Sequence, residues 1–225
     1  MDPFAQSSVI GNDYVAALDA EDYANAKNLA KSAVEIYKNL LLDVTAEESV
    51  LNSALYHAML FRSLLDYAEL AELTSGEQWE GEPKSLELVW RKMCDCRERI
   101  DFVGRVAAGN VLTRIKSRLD RIETFYTNRF GSGLYSSPEI FVKRERCSIC
   151  NNDLRGCEHI PSHVYRGRIC YGVSEGISLR SSSIVQVPHD RRCRIWPWQI
   201  EGNKLSGIIL LTVFRLDDFM NDPGE

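Results

Sequence analysis

Residues 147–170 read CSICNNDLRGCEHIPSHVYRGRIC, and this stretch contains four of the seven cysteines and two of the four histidines of the chain. The spacing of these residues is C-x2-C-x6-C-x-H-x3-H-x6-C. A C-x2-C pair on a tight turn can direct two sulfur atoms at one point, and Zn²⁺ prefers four thiolate or imidazole ligands in a tetrahedron. The stretch therefore predicts a zinc site that holds the surrounding chain together.

The stretch offers more donors than a tetrahedral site needs. The candidate ligands are Cys147, Cys150, Cys157, His159 and Cys170. We predict Cys147, Cys150 and His159 as three of them, with either Cys157 or Cys170 as the fourth, and the sequence does not choose between these two. The remaining cysteine is then a buried thiol close to the metal. Because four protein ligands leave no open position for water, we expect a structural rather than a catalytic zinc.

Other uses of these cysteines are less consistent with the sequence. The first residues, MDPFAQSS, lack the basic segment and the apolar core of a signal peptide. No apolar run reaches the roughly 18 residues expected of a membrane-spanning helix, so we expect no membrane partner. We therefore expect a cytoplasmic protein, in which thiols stay reduced and disulfides are rare.

Apolar residues recur at helical spacing through most of the first 130 residues. The pattern predicts a pair of helices within 12–43, followed by helices near 46–74, 84–104 and 107–130. Asp19 is a candidate cap for the second helix, and Thr45 with Glu48 forms the pattern of a capping box. Residues 1–11 are expected to be disordered.

From residue 132 onward the sequence changes to short β-prone runs separated by turn residues. Strands are expected at 140–142, 184–187, 195–200 and 207–214, with a hairpin turn at Arg166-Gly167 and a helical turn at 217–221. The predicted fold class is therefore α+β, with a bundle of four to five helices over 12–131 and a small zinc-stapled β-rich domain over 132–225. Such a small core would draw much of its folding free energy from the metal.

Basic residues concentrate around the predicted zinc site. Residues 143–194 contain ten basic side chains, nine of them arginines, against five acidic ones, although the whole chain has a net charge of −5. Arginine contacts phosphates, and both arginine and tryptophan are frequent in interface hot spots. The candidate binding residues are Arg166, Arg168, Arg191, Arg192, Arg194, Trp196 and Trp198.

A second basic run lies on the last predicted helix. It consists of Arg114, Lys116, Arg118 and Arg121, and acidic residues at 120 and 123 interrupt it. The interruption favours a solvated helix face over a contact with nucleic acid or an acidic partner.

No phosphate-binding loop, dinucleotide fingerprint or nucleophile–base arrangement is recognisable in the sequence. We therefore predict a non-enzymatic interaction or assembly protein. Its helical part would contact a protein partner or form an oligomer with itself, and its zinc domain would present an arginine- and tryptophan-rich surface. The alternative is a zinc domain that binds nucleic acid through the same side chains.

One enzymatic interpretation also starts from the zinc stretch. Glu158, His159 and Ile160, which follow a C-x2-C pair, resemble the motif of HNH nucleases. That resemblance implies that His159 is a general base and that His163 binds a catalytic Mg²⁺. A histidine that binds zinc cannot also act as the base, so the two interpretations exclude each other.

Overall fold

Helices form the N-terminal part of the fold. The structure is a computed structural model that describes residues 3–76, 78–106, 109–201, 204–207 and 212–215. The described helices are α1 (Pro3–Asp19), α2 (Tyr23–Leu41), α3 (Glu48–Leu73), α4 (Pro83–Val103) and α5 (Asn110–Phe130). They precede antiparallel strands, so the α+β class and the predicted number of helices are confirmed.

The first helix differs from the sequence prediction, which placed disorder over residues 1–11. Helix α1 begins at Pro3, and Phe4 and Ile10 pack against the bundle core. The fully buried Tyr14 ties this helix to α3, because its hydroxyl donates a hydrogen bond to the Leu64 carbonyl at 2.6 Å. These contacts join distant parts of the chain, which local sequence signals do not reveal.

The predicted helix caps are also corrected. Asp22, and not Asp19, caps α2, and its carboxylate accepts a hydrogen bond from the Asn25 backbone N–H at 3.1 Å. The expected capping box at the start of α3 does not form. The Thr45 hydroxyl instead donates a hydrogen bond to the Asp43 carboxylate at 2.6 Å. The Glu48 carboxylate accepts a hydrogen bond from the Arg166 backbone N–H in the β region.

A single apolar core runs through the helical bundle and continues beneath the start of the strands. The largest fully buried side chains of this core are Trp90, Tyr14, Tyr37, Tyr126, Phe61, Leu70, Leu86, Met93, Ile100, Ile115 and Leu119. Cys94 and Cys96 also lie in this core. Burial raises the pKa of the Cys94 thiol to about 12, so this thiol stays protonated and inert at neutral pH.

The strands of the β region form three small antiparallel sheets. A ribbon of two 14-residue strands, β1 (Leu134–Cys147) and β4 (Gly172–Val185), extends from the bundle to the zinc stretch, and β5 (Arg194–Ile195) pairs with its bundle end. The hairpin of β2 (Val164–Tyr165) and β3 (Arg168–Ile169) lies within the zinc stretch. The third sheet contains β6 (Trp198–Glu201), β7 (Lys204–Gly207) and β8 (Thr212–Arg215).

The positions of the predicted strands agree with the structure better than their lengths do. The hairpin turn at 166–167 is confirmed, and the predicted strand at 140–142 is the centre of the much longer β1. Residues 184–187 overlap only the end of β4. Residues 208–211 of the predicted strand 207–214, and the predicted helical turn at 217–221, lie outside the described residues.

The tip of the β2–β3 hairpin packs against the end of α2, the start of α3 and the connection between them. The Arg166 guanidinium donates a hydrogen bond to the Val44 carbonyl at 3.1 Å, and the Gly167 backbone N–H donates to the Asn52 side chain at 2.7 Å. Gly167 has a φ of +68°, and a Cβ there would lie 2.5 Å from Leu41 Cδ2. Glycine is therefore required at this turn, both for its backbone conformation and for the close approach.

No helix in the described part of the chain is both long enough and apolar enough to cross a membrane.

Candidate metal centre

The first half of the metal centre is a tight turn at the end of β1. The turn is closed by two hydrogen bonds, from the Asn151 N–H to the Cys147 carbonyl at 2.9 Å and from the Cys147 N–H to the Asn152 carbonyl at 2.8 Å. Asn151 adopts a φ of +62°, which asparagine tolerates better than most residues. The Ile149 N–H points at Cys147 Sγ at 3.4 Å. The turn thereby presents the sulfur atoms of Cys147 and Cys150 on the same side.

The second half comes from the segment that follows this turn. Asp153 caps a short 3₁₀ turn, Leu154–Gly156, by accepting the Arg155 N–H at 3.0 Å. This turn reverses the chain, so Cys157 and His159 return toward the C-x2-C pair. The reversal uses aspartate and glycine, residue types that favour turns because of side-chain hydrogen bonding and backbone freedom.

Four donor atoms meet at this point. The ligand atoms of Cys147, Cys150, Cys157 and His159 all lie within 4.8 Å of one another. Three thiols and one imidazole at this separation could hold one metal ion, which is the donor type and number of a tetrahedral structural site.

Cys170 lies beside this cluster and is not one of its four members. It is buried, and its Sγ is 3.7 Å from Cys147 Sγ. Its backbone N–H donates to the His163 carbonyl at 2.8 Å at the base of the β2–β3 hairpin. Of the two cysteines that the sequence left open as a fourth ligand, Cys157 belongs to the four-atom cluster.

The imidazole of His159 carries an independent sign of a ligand. Its Nδ1 atom is buried and has no hydrogen-bond partner among the described residues. Buried polar atoms nearly always have a partner, because leaving one unsatisfied costs about 1–3 kcal/mol. The ring is held edge-on against Tyr165, with 4.7 Å between ring centroids. A bound metal would satisfy the imidazole, so the residues present fit the ion that the spacing predicts.

The thiols differ in their readiness to ionise. Burial opposes ionisation of Cys147, but the backbone N–H groups of Cys150 and Ile149 and the thiols of Cys170 and Cys150 outweigh it and lower the pKa of Cys147 to about 6. Burial and the neighbouring Cys147 raise the pKa of Cys170 to about 11. The lowered pKa favours the thiolate form of Cys147, which is the form that binds metal.

The cysteine cluster lies in a part of the fold that has few other buried apolar residues. Between residues 134 and 193 the buried hydrophobic residues are Tyr135, Cys147 and Cys170. Two of these three lie at the cysteine cluster, whereas the helical bundle buries many aliphatic and aromatic side chains. So little apolar burial gives residues 134–193 few means of folding without a crosslink.

Two of the predicted binding arginines make ion pairs with the helical bundle. Arg191 pairs with Glu123 of α5. Arg192 pairs with Asp95 of α4 at 2.6 Å and with Glu98 one turn further along the same helix. Both arginines therefore contact the helices and lie away from the metal cluster.

The contact between the β region and helix α4, called the joint below, has three further predicted binding residues at its centre. They are Arg194, Trp196 and Trp198. The Arg194 guanidinium is buried and lies 4.7 Å from the centroid of the Trp90 ring. Trp196 and Trp198 stack with 5.3 Å between their ring centroids, and the Trp198 indole N–H donates to the Glu87 carboxylate at 2.9 Å. These side chains join the β region to α4.

The remaining predicted residues are close to the metal cluster. Arg166 and Arg168 are exposed on the β2–β3 hairpin, and the Arg168 guanidinium donates to the Ser148 carbonyl inside the C-x2-C turn. His163, the second histidine of the HNH resemblance, is exposed and outside the four-atom cluster. While His159 binds a metal beside three thiolates, its imidazole is not free to act as a general base.

Comparison with protein-family models gives no match. Comparison with curated proteins and with solved structures gives no significant match either.

Proposed function

We propose that this chain is a non-enzymatic, zinc-stapled interaction protein that associates with a second copy of itself. The surface used is the apolar face of the β1–β4 ribbon. One observation carries this proposal: the central part of the ribbon pairs four aliphatic side chains on one face, and three of the four are exposed.

Zinc is the metal that the donor set favours. Thiolate ligands disfavour Mg²⁺ and Ca²⁺, which prefer oxygen, and three cysteines with one histidine form a common structural zinc site. We assign Cys147, Cys150, Cys157 and His159 as the ligands, with Cys170 as a thiol next to Cys147. With four protein ligands the ion has no open position, so its role is to crosslink the end of the ribbon to the hairpin beyond it.

The register of the ribbon explains its apolar face. Ile140 pairs with Leu179, and Val142 pairs with Ile177, so the four side chains lie together on one face. Ile140, Ile177 and Leu179 are 50%, 58% and 68% exposed. A two-stranded ribbon is marginally stable by itself, and a contiguous exposed apolar patch is typical of an interaction surface.

The charges of the ribbon favour a second copy over a strongly charged partner. Its basic and acidic side chains are nearly balanced and partly paired with each other: Arg146 contacts Glu175 at 2.9 Å and Arg180 contacts Glu139 at 3.6 Å. Two such ribbons do not repel each other. Nucleic acid needs a concentrated positive surface, and three of the predicted arginines instead contact the helices.

A charge on the apolar face should dissociate the dimer. We expect the wild type to sediment at twice the 25.6 kDa chain mass and Leu179→Asp to sediment as a monomer. Burying one aliphatic side chain contributes about 2 kcal/mol, and a symmetric interface contains it twice, so the dissociation constant should rise roughly a thousandfold. Sedimentation equilibrium measures both masses and the constant.

Ser178→Asp provides the matched control. Ser178 is the neighbour of Leu179 on β4 and is also exposed, but its side chain lies on the opposite face of the ribbon. We expect this variant to remain a dimer. A wild type that stays monomeric at about 100 μM, a concentration at which a micromolar complex is almost fully formed, would contradict self-association. Equal dissociation of both variants would contradict the choice of face.

A further inference from the structure

A cavity of about 280 Å³ lies between helices α1, α3 and α5, away from the metal centre. Its lining is mixed, and the apolar part of it includes Val15 of α1, Ala71 of α3 and Ile115 of α5. The volume is close to the lower end of the range of small-molecule sites in proteins. The cavity therefore has room for a small ring or a short apolar chain.

Three members of the basic run of α5 belong to the same lining. Arg114, Arg118 and Arg121 follow one another at intervals of four and three residues, which places them on one face of the helix. Lys116, the fourth member of the run, does not line the cavity and pairs with Asp101 at 3.0 Å. The three arginines of the run therefore line the cavity, and Lys116 does not.

Two of these arginines are available for a ligand. Arg114 is neutralised by Asp19, at 2.8 Å. Arg118 and Arg121 make no salt bridge or hydrogen bond with any residue in the described part of the chain. The other acidic residue of the lining is Glu21, so the cavity retains a net positive charge.

Two phenols add neutral donors to the positive charge. Tyr23 and Tyr67 line the cavity, and neither hydroxyl is hydrogen-bonded within the residues that the structure describes. Burial raises the pKa of both phenols, so both keep their protons at neutral pH and can donate hydrogen bonds.

We propose that this cavity is a binding site for a small anion that carries an aromatic or apolar group, such as an aryl phosphate. The apolar side chains of the lining would pack against the ring. Arg118 and Arg121 would bind the phosphate oxygens, with the phenols as further donors, because a guanidinium matches the geometry of a phosphate with two parallel hydrogen bonds. This site is independent of the metal centre and of the proposed dimer face.

Phenyl phosphate is a suitable probe, titrated against the full chain and followed by isothermal calorimetry. We expect saturable binding that is about tenfold tighter than that of inorganic phosphate or of phenol. Inorganic phosphate lacks the ring, and phenol lacks the phosphate group. Arg118→Gln and Arg121→Gln should each weaken binding about tenfold or more, the usual loss for a charged hydrogen bond. Ala71→Leu, which fills the cavity and keeps every charge, should abolish it.

Arg129→Gln is the control, because Arg129 is an exposed arginine of the same helix outside the cavity. We expect it to bind phenyl phosphate like the wild type. The absence of saturable binding at about 10 mM probe would overturn the proposal, since even weak sites of this kind are half-filled below that concentration. Unchanged affinity in both the Arg118 and Arg121 variants, or in Ala71→Leu, would overturn it as well.

Discussion

Removal of the metal is expected to unfold the β region and to leave the helical bundle folded. Residues 134–193 bury little apolar surface outside the cysteine cluster, and metal binding in isolated zinc modules contributes on the order of 10 kcal/mol to folding. With a strong chelator, peptides from β1 to β4 should lose protection in hydrogen–deuterium exchange. Peptides from α2, α3 and α4, which share the large apolar core, should retain it.

Single cysteine variants separate loss of the metal from side effects of the chelator. Cys150→Ser removes one ligand of the cluster and should reproduce the effect of chelation. Cys193→Ser replaces an exposed cysteine outside the cluster and should behave like the wild type. Full protection of β1 to β4 in Cys150→Ser would show that the β region folds without its metal, which is the opposite of what the sparse core implies.

Replacement of Trp90 should cause the largest loss of stability in the helical part. Its indole is 2% exposed, packs edge-on against Tyr126 at 5.0 Å and donates its N–H to the Arg191 carbonyl at 2.8 Å. Trp90→Ala leaves a cavity at the joint between α4 and the β region. The expected cost is about 3–5 kcal/mol, a large part of the roughly 5–15 kcal/mol of a typical domain. Urea unfolding at saturating zinc measures it.

Leu88→Ala on the same helix is the comparison for this variant. Leu88 is 38% exposed, so its truncation should cost less than about 1 kcal/mol. Trp90→Phe should lie between the two, because it keeps part of the ring packing and loses the hydrogen bond. If Trp90→Ala costs no more than Leu88→Ala, the joint is not packed as the structure describes.

The sequence predicted the features that depend on local spacing. Four of the five candidate ligands were recognisable from the C-x2-C pair and the Cys157-Glu158-His159 segment, and they form the cluster. The helices after residue 12 were recognisable from their apolar period. The choice between Cys157 and Cys170 as the fourth ligand was not recognisable from the sequence. It depends on how the turn at 154–156 and the β2–β3 hairpin bring the chain back toward Cys147 and Cys150.

The features that the sequence did not reveal depend on distant partners. The arginines at 191 and 192 looked like a free basic surface because the acidic residues that neutralise them, on α4 and α5, lie 68 to 97 positions away. The length of the ribbon was missed because its serine-rich stretches lack a β-prone composition. The alternation of Ile140 with Val142 and of Ile177 with Leu179 was the available signal of its apolar face.

The metal content of the purified chain tests the central claim most directly. Native mass spectrometry of the wild type should show one zinc ion per chain. Cys157→Ser and His159→Ala should lose the ion, whereas Cys170→Ser should keep it. A wild type without zinc, or a chain that keeps zinc in Cys157→Ser and loses it in Cys170→Ser, would contradict the four-ligand site.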